Sequence, residues 1–290
     1  MLRKFSITIT ALLPALWSSL VFVGCTGPVE SSLDPGILRV ILQSDPADTS
    51  IVVVSDTLTV LPWNSFDVTV FQGKVYSDSN YALLFKDITA YRPEDLTYNV
   101  LKMGAIIDTA TFVGNGLNDA TSGGEYYGES NVYKLEIVTS GTPDTINVYV
   151  DDFLLITGTP ITDTPLELIF GATITWEATT GHTVGDYWTF KARTTGEYLQ
   201  YVIYESYVPP IEYDQLQLGI TPISLSIGGI GVQVKIPEGR SPMLNLYQDI
   251  IVFENKVTEV NLMISPLKSV HRFRDTYHFV PQIEVNVINY

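Results

Sequence analysis

The chain has 290 residues, 46% of them hydrophobic, and sets 32 acidic side chains against 16 basic ones for a formal charge of −16 at pH 7. A surface this acidic repels nucleic acid and anionic lipid headgroups, so nucleic acid is set aside as a partner. The single cysteine excludes an internal disulfide, and 17 Tyr and 12 Phe beside many Val, Ile and Thr favour strands over helices.

The first element in chain order is membrane-seeking. Arg3 and Lys4 precede an apolar run from Phe5 to Val23, broken by little more than Ser, Thr and Pro14, which is the layout of a secretory signal. Gly24 then stands before Cys25. The stretch Leu20-Val21-Phe22-Val23-Gly24-Cys25 resembles a bacterial lipoprotein signal, with Phe22 and Val23 departing from its commonest residues. The resemblance implies a signal peptide over 1–24, cleavage between Gly24 and Cys25, and a diacylglycerol or palmitate-type lipid on the Cys25 thiol. A plain signal peptide and an uncleaved anchor are the alternatives; a spanning helix needs about 20 apolar residues and this run barely reaches that. Two or three acyl chains hold a protein firmly where one holds weakly. Thr26, where Asp would favour the inner membrane, implies an outer-membrane lipoprotein, periplasmic or surface-exposed. Residues 25–35 read as a lipidated tether, since Pro-Val-Glu-Ser-Ser-Leu-Asp-Pro buries little. With Cys25 spent on lipid, no thiol remains for a nucleophile or a zinc thiolate site.

From residue 36 the pattern alternates with the period of strands. Leu38, Val40 and Leu42 share one face and run into the turn Asp45-Pro46-Ala47-Asp48. Ile51 to Val54, continued by Leu58 and Val60, is a continuous apolar run of the kind expected for strands buried on both sides or at a sandwich centre. Phe66, Val68 and Val70 alternate, Tyr81 to Ile88 is a further strand, and Tyr91 to Leu96 has room for one helical turn.

Between residues 104 and 194 the composition changes. Lys134, Lys191 and Arg193 are the only basic residues there, and Thr and Gly abound. Four alternating runs, around Leu135, Val148, Trp176 and Phe190, predict a small β-sandwich. The stretch from Thr173 to Phe190, with Thr180-Gly181-His182-Thr183-Val184-Gly185-Asp186 before Trp188-Thr189-Phe190, resembles a module of phage structural and bacterial surface proteins. That resemblance implies an all-β accessory module and gives His182, Gly185, Asp186 and Trp188 a structural turn role.

After Thr195 the first pattern resumes through a Tyr-rich strand holding Tyr198, Tyr201 and Tyr204, then Leu216 to Ile220, Val232 to Ile236, Val260 to Ile264, and an alternating tail from Tyr277 to Val287. The opening strand and its Asp45 to Asp48 turn, the Gly196-Glu197-Tyr198 strand, Val257 to Leu262 and Val280-Pro281 together resemble a family of bacterial lipoproteins of unknown function. The expected fold is therefore all-β: a discontinuous host β-sandwich from residues 36–103 and 195–290, with a second small sandwich, 104–194, inserted in it.

Candidate chemistry is sparse. His182 beside Asp186 invites a His/Asp pair or a metal, against a structural turn. His271 and His278 flank Arg272 and Arg274, and with Lys268 these arginines form a basic cluster suited to pairing with carboxylates or to gripping an anion. Asp45 with Asp48, Glu125 with Glu129, and Asp151-Asp152 supply the paired carboxylates a glycoside hydrolase needs, or are solvated turn acids. No metal site, cofactor, nucleophile elbow or phosphate loop is expected. Tyr126, Tyr127, Tyr201 and Tyr204 are the candidate ligand-binding rings, able to stack on sugars. The reading that follows is a noncatalytic, envelope-anchored surface lipoprotein acting in adhesion, scaffolding or ligand display, attached to the membrane by its lipid and bound to a protein or glycan partner. The alternatives are a carbohydrate-binding module with exposed aromatic residues and a hydrolase with paired carboxylates.

Overall fold

The computed structural model describes residues 33–53, 56–78, 80–88 and 95–290. Gly24, Cys25 and most of the Tyr91 to Leu96 turn lie outside the described residues. Pro35 to Tyr290 form one compact unit. It is nearly all β, and among the described residues the only helical piece is a 3-10 turn, Ile169–Gly171.

Two sheets build the first core. One has four strands in the order Tyr201–Val208, Gly36–Ser44, Val257–Ile264, Ile283–Asn289. Gly36–Ser44 runs antiparallel to Tyr201–Val208 and parallel to Val257–Ile264. The other sheet is centred on Ser65–Ser77 and its antiparallel partner Glu212–Ile227, flanked by Met243–Ile251, Asn80–Leu83 and Leu96–Asn99. Segments before residue 104 thus share both sheets with segments after 195. The inward faces are the alternating ones: Leu38, Val40 and Leu42 from one sheet and Phe66, Val68 and Val70 from the other are buried. Burying each such side chain contributes roughly 1.5–3 kcal/mol. At the crossover between the sheets the hydroxyl of buried Tyr213 donates to Pro209 O at 2.9 Å, which ties the corner to the strand that follows.

Residues 104–194 have a core of their own. Strands around Ser130–Thr139 form a sheet in which Tyr187–Tyr198, Thr145–Val150 and Phe153–Pro160 take part, and Ala172–Trp176 lies in a second, three-stranded sheet. Tyr133, Leu135, Ile146, Val148, Trp188 and Phe190 from the first sheet close on Ala172, Ile174 and Trp176 of the second. Stacked Tyr133 and Phe190 rings, 5.0 Å apart, and the Trp176 to Trp188 edge contact at 6.1 Å fill this core.

The two connections between the cores are paired with each other. Met103 pairs with Tyr198, and Thr195 Oγ1 donates to Gly104 O, so the two crossings between the cores run side by side. They lie near the far end of strand Gly36–Ser44, where Leu42 pairs with Tyr201 and the Ser44 hydroxyl donates to Val100 O. The beginning of that strand, Gly36, is at the opposite pole, roughly 25 Å away for a strand of this length.

Two local expectations are corrected. The apolar run from Ile51 is not a doubly buried strand: Ser50–Val53 pairs only with Asp56–Thr59 in a small hairpin, with Ile51 buried and Val52 exposed. The Tyr81 to Ile88 strand is shorter, Asn80–Leu83.

Candidate functional site

The four candidate tyrosines do not make one surface. Tyr126 and Tyr204 are buried, which takes both out of any sugar-stacking face. Burial holds the Tyr126 hydroxyl up at about 12 and raises that of Tyr204, so neither ionises near neutral pH. Tyr201 packs against Tyr98 at 4.9 Å and donates its hydroxyl to Asn99 O at 2.9 Å, a structural bond of the host core. Only Tyr127 of the four is exposed, at 46%, and it packs edge-on against Phe170. The strand period alone would put Tyr201 and Tyr204, three residues apart, on opposite faces; the register shift between Val202 and Tyr204 brings both rings to the core side.

His182 is buried, and its partners are two acids the sequence did not single out. Nδ1 lies 2.9 Å from Asp144 Oδ2 and Nε2 lies 3.0 Å from Asp119 Oδ1, while the ring stands edge-on to Trp188. The imidazole thus bridges the two carboxylates, one ring nitrogen to each. Asp144 also accepts from Gly141 N and His182 N, and Asp119 from Ala178 N. Burial alone would raise the Asp144 carboxyl; the hydrogen bonds from Gly141 and His182 reverse that and hold it below the usual carboxylate range. Asp186 is not the partner of His182. It accepts from Asn115 N and Gly116 N, and Trp188 Nε1 donates to Asn118 Oδ1 at 3.3 Å. Gly185, at φ +92°, donates its N–H to Ile137 O, a backbone conformation that a residue with Cβ resists. These groups tie three loops together at one end of the second core.

The other carboxylates are dispersed. Asp48 is buried and accepts from Leu267 N at 2.6 Å and Lys268 N at 3.2 Å; Asp45 accepts from Ala47 N, Ser265 Oγ and Lys268 Nζ. The opening turn is thereby hooked to the loop after Val257–Ile264. Glu125 pairs with Lys102 at 2.6 Å, and Asp151 caps Val132 N and Asn131. Glu129 accepts through its backbone carbonyl from Thr194 N, and Asp152 occupies a positive-φ turn with Asp151. His271 and His278 face each other as a register pair of the Val270–Phe273 and Thr276–Phe279 hairpin, and Arg272 lies 3.9 Å from Asp275. Among the described residues no group of three His, Cys, Asp or Glu side chains is placed to hold a metal.

The site that sequence reasoning missed is a groove of about 370 Å³ on the outer face of the four-stranded sheet. Gln43, Gln200, Asn261 and Asn286 bring side-chain amides to it, and Glu259 and Glu284 bring carboxylates, from strands and a loop that are far apart in sequence. Asn261 and Asn286 are register partners, and Gln200 Nε2 donates to Gln43 Oε1 at 2.6 Å. Met263 adds a small apolar contribution. The cation nearest this face, Arg39, is engaged by Glu205 at 2.6 Å and lies 3.8 Å from Glu259. The only signal in the sequence was that these are the outward positions of strands whose inward positions are Leu and Val.

No family model, curated protein or solved structure matches the chain. The reading of the groove therefore rests on its own chemistry. Amides both donate and accept, carboxylates accept, and the local charge is negative, so the groove suits neutral molecules rich in hydroxyl groups and repels anions.

Proposed function

We propose that the chain is a noncatalytic lipoprotein of the cell envelope, held at the membrane through Cys25, that displays a β-sheet groove for a neutral polyhydroxylated ligand of the glycan class. The observation that carries this reading is the groove itself, with four carboxamides and two carboxylates brought from several segments onto one sheet face. A row of exposed aromatic rings is not its basis, since Tyr126 and Tyr204 are core residues. The sandwich serves as a rigid mount, and the inserted core stands at the pole opposite Gly36.

Binding of the full chain to an array of neutral and anionic glycans tests the ligand class. A neutral glycan is expected to bind, and Asn261→Leu with Asn286→Leu to weaken it at least tenfold; binding confined to anionic glycans, or binding indifferent to both substitutions, overturns the assignment. Metabolic labelling with a fatty-acid analogue tests the anchor separately: label is expected on the native chain and not on Cys25→Ala, and equal label on both refutes it.

A further inference from the structure

Four of the exposed hydrophobic side chains lie together at one pole of the host sandwich, the pole at which the chain enters its first strand. Gly36 pairs with Val208 and Ile37 with Tyr207, while Ile37 N donates to Lys256 O at 2.9 Å. Val252 N donates to Ile211 O, and Tyr290 N donates to Val257 O. Those bonds bring the Pro209 corner, the turn after Met243–Ile251 and the last residue of the chain to the same end. Tyr207, Ile211, Phe253 and Tyr290 are exposed there by 55%, 42%, 48% and 66%.

A few exposed apolar residues on any protein need no explanation, but this set has two features that point to one occupant. Three of the four are aromatic or carry a phenol, the side chains that settle at the boundary between hydrocarbon and water. The segment that joins Cys25 to Gly36 is eleven residues long, so even when fully extended it keeps this pole within about 35–40 Å of the lipidated cysteine. We infer that this pole rests on a lipid surface, with Tyr207, Ile211, Phe253 and Tyr290 reaching the interfacial layer as a second attachment beside the acyl chains. This inference rests on the lipid anchor of the proposed function. Glu212 and Glu254 stand beside Lys256 at the same pole of a chain whose charge is −16, so the fitting surface has zwitterionic rather than anionic headgroups. With this pole down, the inserted core faces away from the lipid.

The test uses the lipidated full chain in phosphatidylcholine vesicles, with an environment-sensitive fluorophore on Phe253→Cys, on Ile211→Cys or on Asp163→Cys in the inserted core. Quenching by nitroxide-bearing lipid is expected to lower the emission at 253 and at 211 at least twofold and to leave 163 unchanged. Two independent pole positions keep the result readable if one variant folds poorly. Emission at both pole positions as insensitive as at 163, on protein shown to carry a fatty acid, overturns the inference and leaves the anchor standing. Crosslinking of pole cysteines between copies in place of quenching also overturns it, in favour of self-association. The same labels in a Cys25→Ala background separate the two claims: quenching that persists there on added vesicles supports the lipid-facing pole whatever becomes of the anchor.

Discussion

The ring of Tyr204 fills the space that a side chain at residue 73 would need: a Cβ built on Gly73 falls 2.5 Å from Tyr204 Cε2. Gly73 belongs to one sheet of the host sandwich and Tyr204 to the other, and the two residues come from opposite sides of the inserted core in sequence. Gly73→Ala is therefore expected to destabilise the host by about 1–3 kcal/mol, the usual cost of overpacking a tight core. Chemical denaturation checks it. Gly231→Ala is the control, since nothing stands within 4 Å of a Cβ there and its backbone is not left-handed; a loss of the same size at Gly231 would contradict the overpacking account.

His182→Ala leaves the Asp119 and Asp144 carboxylates facing a void where the bridging imidazole stood. Leaving a buried carboxylate without its partner costs about 3–5 kcal/mol, and in a unit of 60–100 residues each kcal/mol moves Tm by roughly 4–8 °C. Calorimetry is expected to show the transition of the inserted core displaced downward by more than 10 °C, on the order of those two figures combined, with the host transition little changed.

The same cluster sets a pH dependence. The Asp144 carboxyl is held below its ordinary value, so it contributes stability that is fully present above the ordinary carboxylate range and is lost as pH falls through its folded pKa. Melting of the inserted core is expected to fall steeply on acidification below about pH 4, where carboxylates begin to bind protons. Asp144→Asn is expected to melt lower at neutral pH and to show a shallower acid limb; an unchanged limb would assign the acid sensitivity to other groups.

Asp48 titrates in the opposite sense. Burial raises its carboxyl more than the Lys268 and Leu267 amides lower it, so its ionisation works against the fold as pH rises through and above the ordinary range. An amide oxygen accepts the same two N–H bonds without the charge. Asp48→Asn is expected to be near neutral or stabilising at pH 7, while Asp48→Ala strands the buried Leu267 N–H and the part-buried Lys268 N–H and costs about 2 kcal/mol. Equal losses in both variants, measured by urea denaturation, would contradict this.

Strand periodicity made much of the fold legible. Leu38, Val40 and Leu42, or Val260, Leu262 and Ile264, recur at every second position because one face of each strand closes a core. The same rule misled at Ile51 to Val54, where a hairpin outside the main sheets leaves Val52 in solvent. Side-chain chemistry was less legible, since it depends on pairings across long stretches of chain. His182 meets Asp119 and Asp144, 63 and 38 residues away, and the nearby Asp186 drew attention by proximity in sequence alone. Nor did anything in the residue types of Gln43, Gln200, Asn261 and Asn286 announce that four ordinary outward positions would converge on one groove.

The central claim is that two separated stretches of chain make one host sandwich and that a self-contained core is looped out between paired strand ends. Excision tests it most directly: remove residues 104–197 and join Met103 to Tyr198, its register partner, through an Asn-Gly turn. The account predicts a chain that unfolds cooperatively, keeps the near-ultraviolet signature of its buried tyrosines and melts close to the host transition of the intact protein. A chain without a cooperative transition would contradict it.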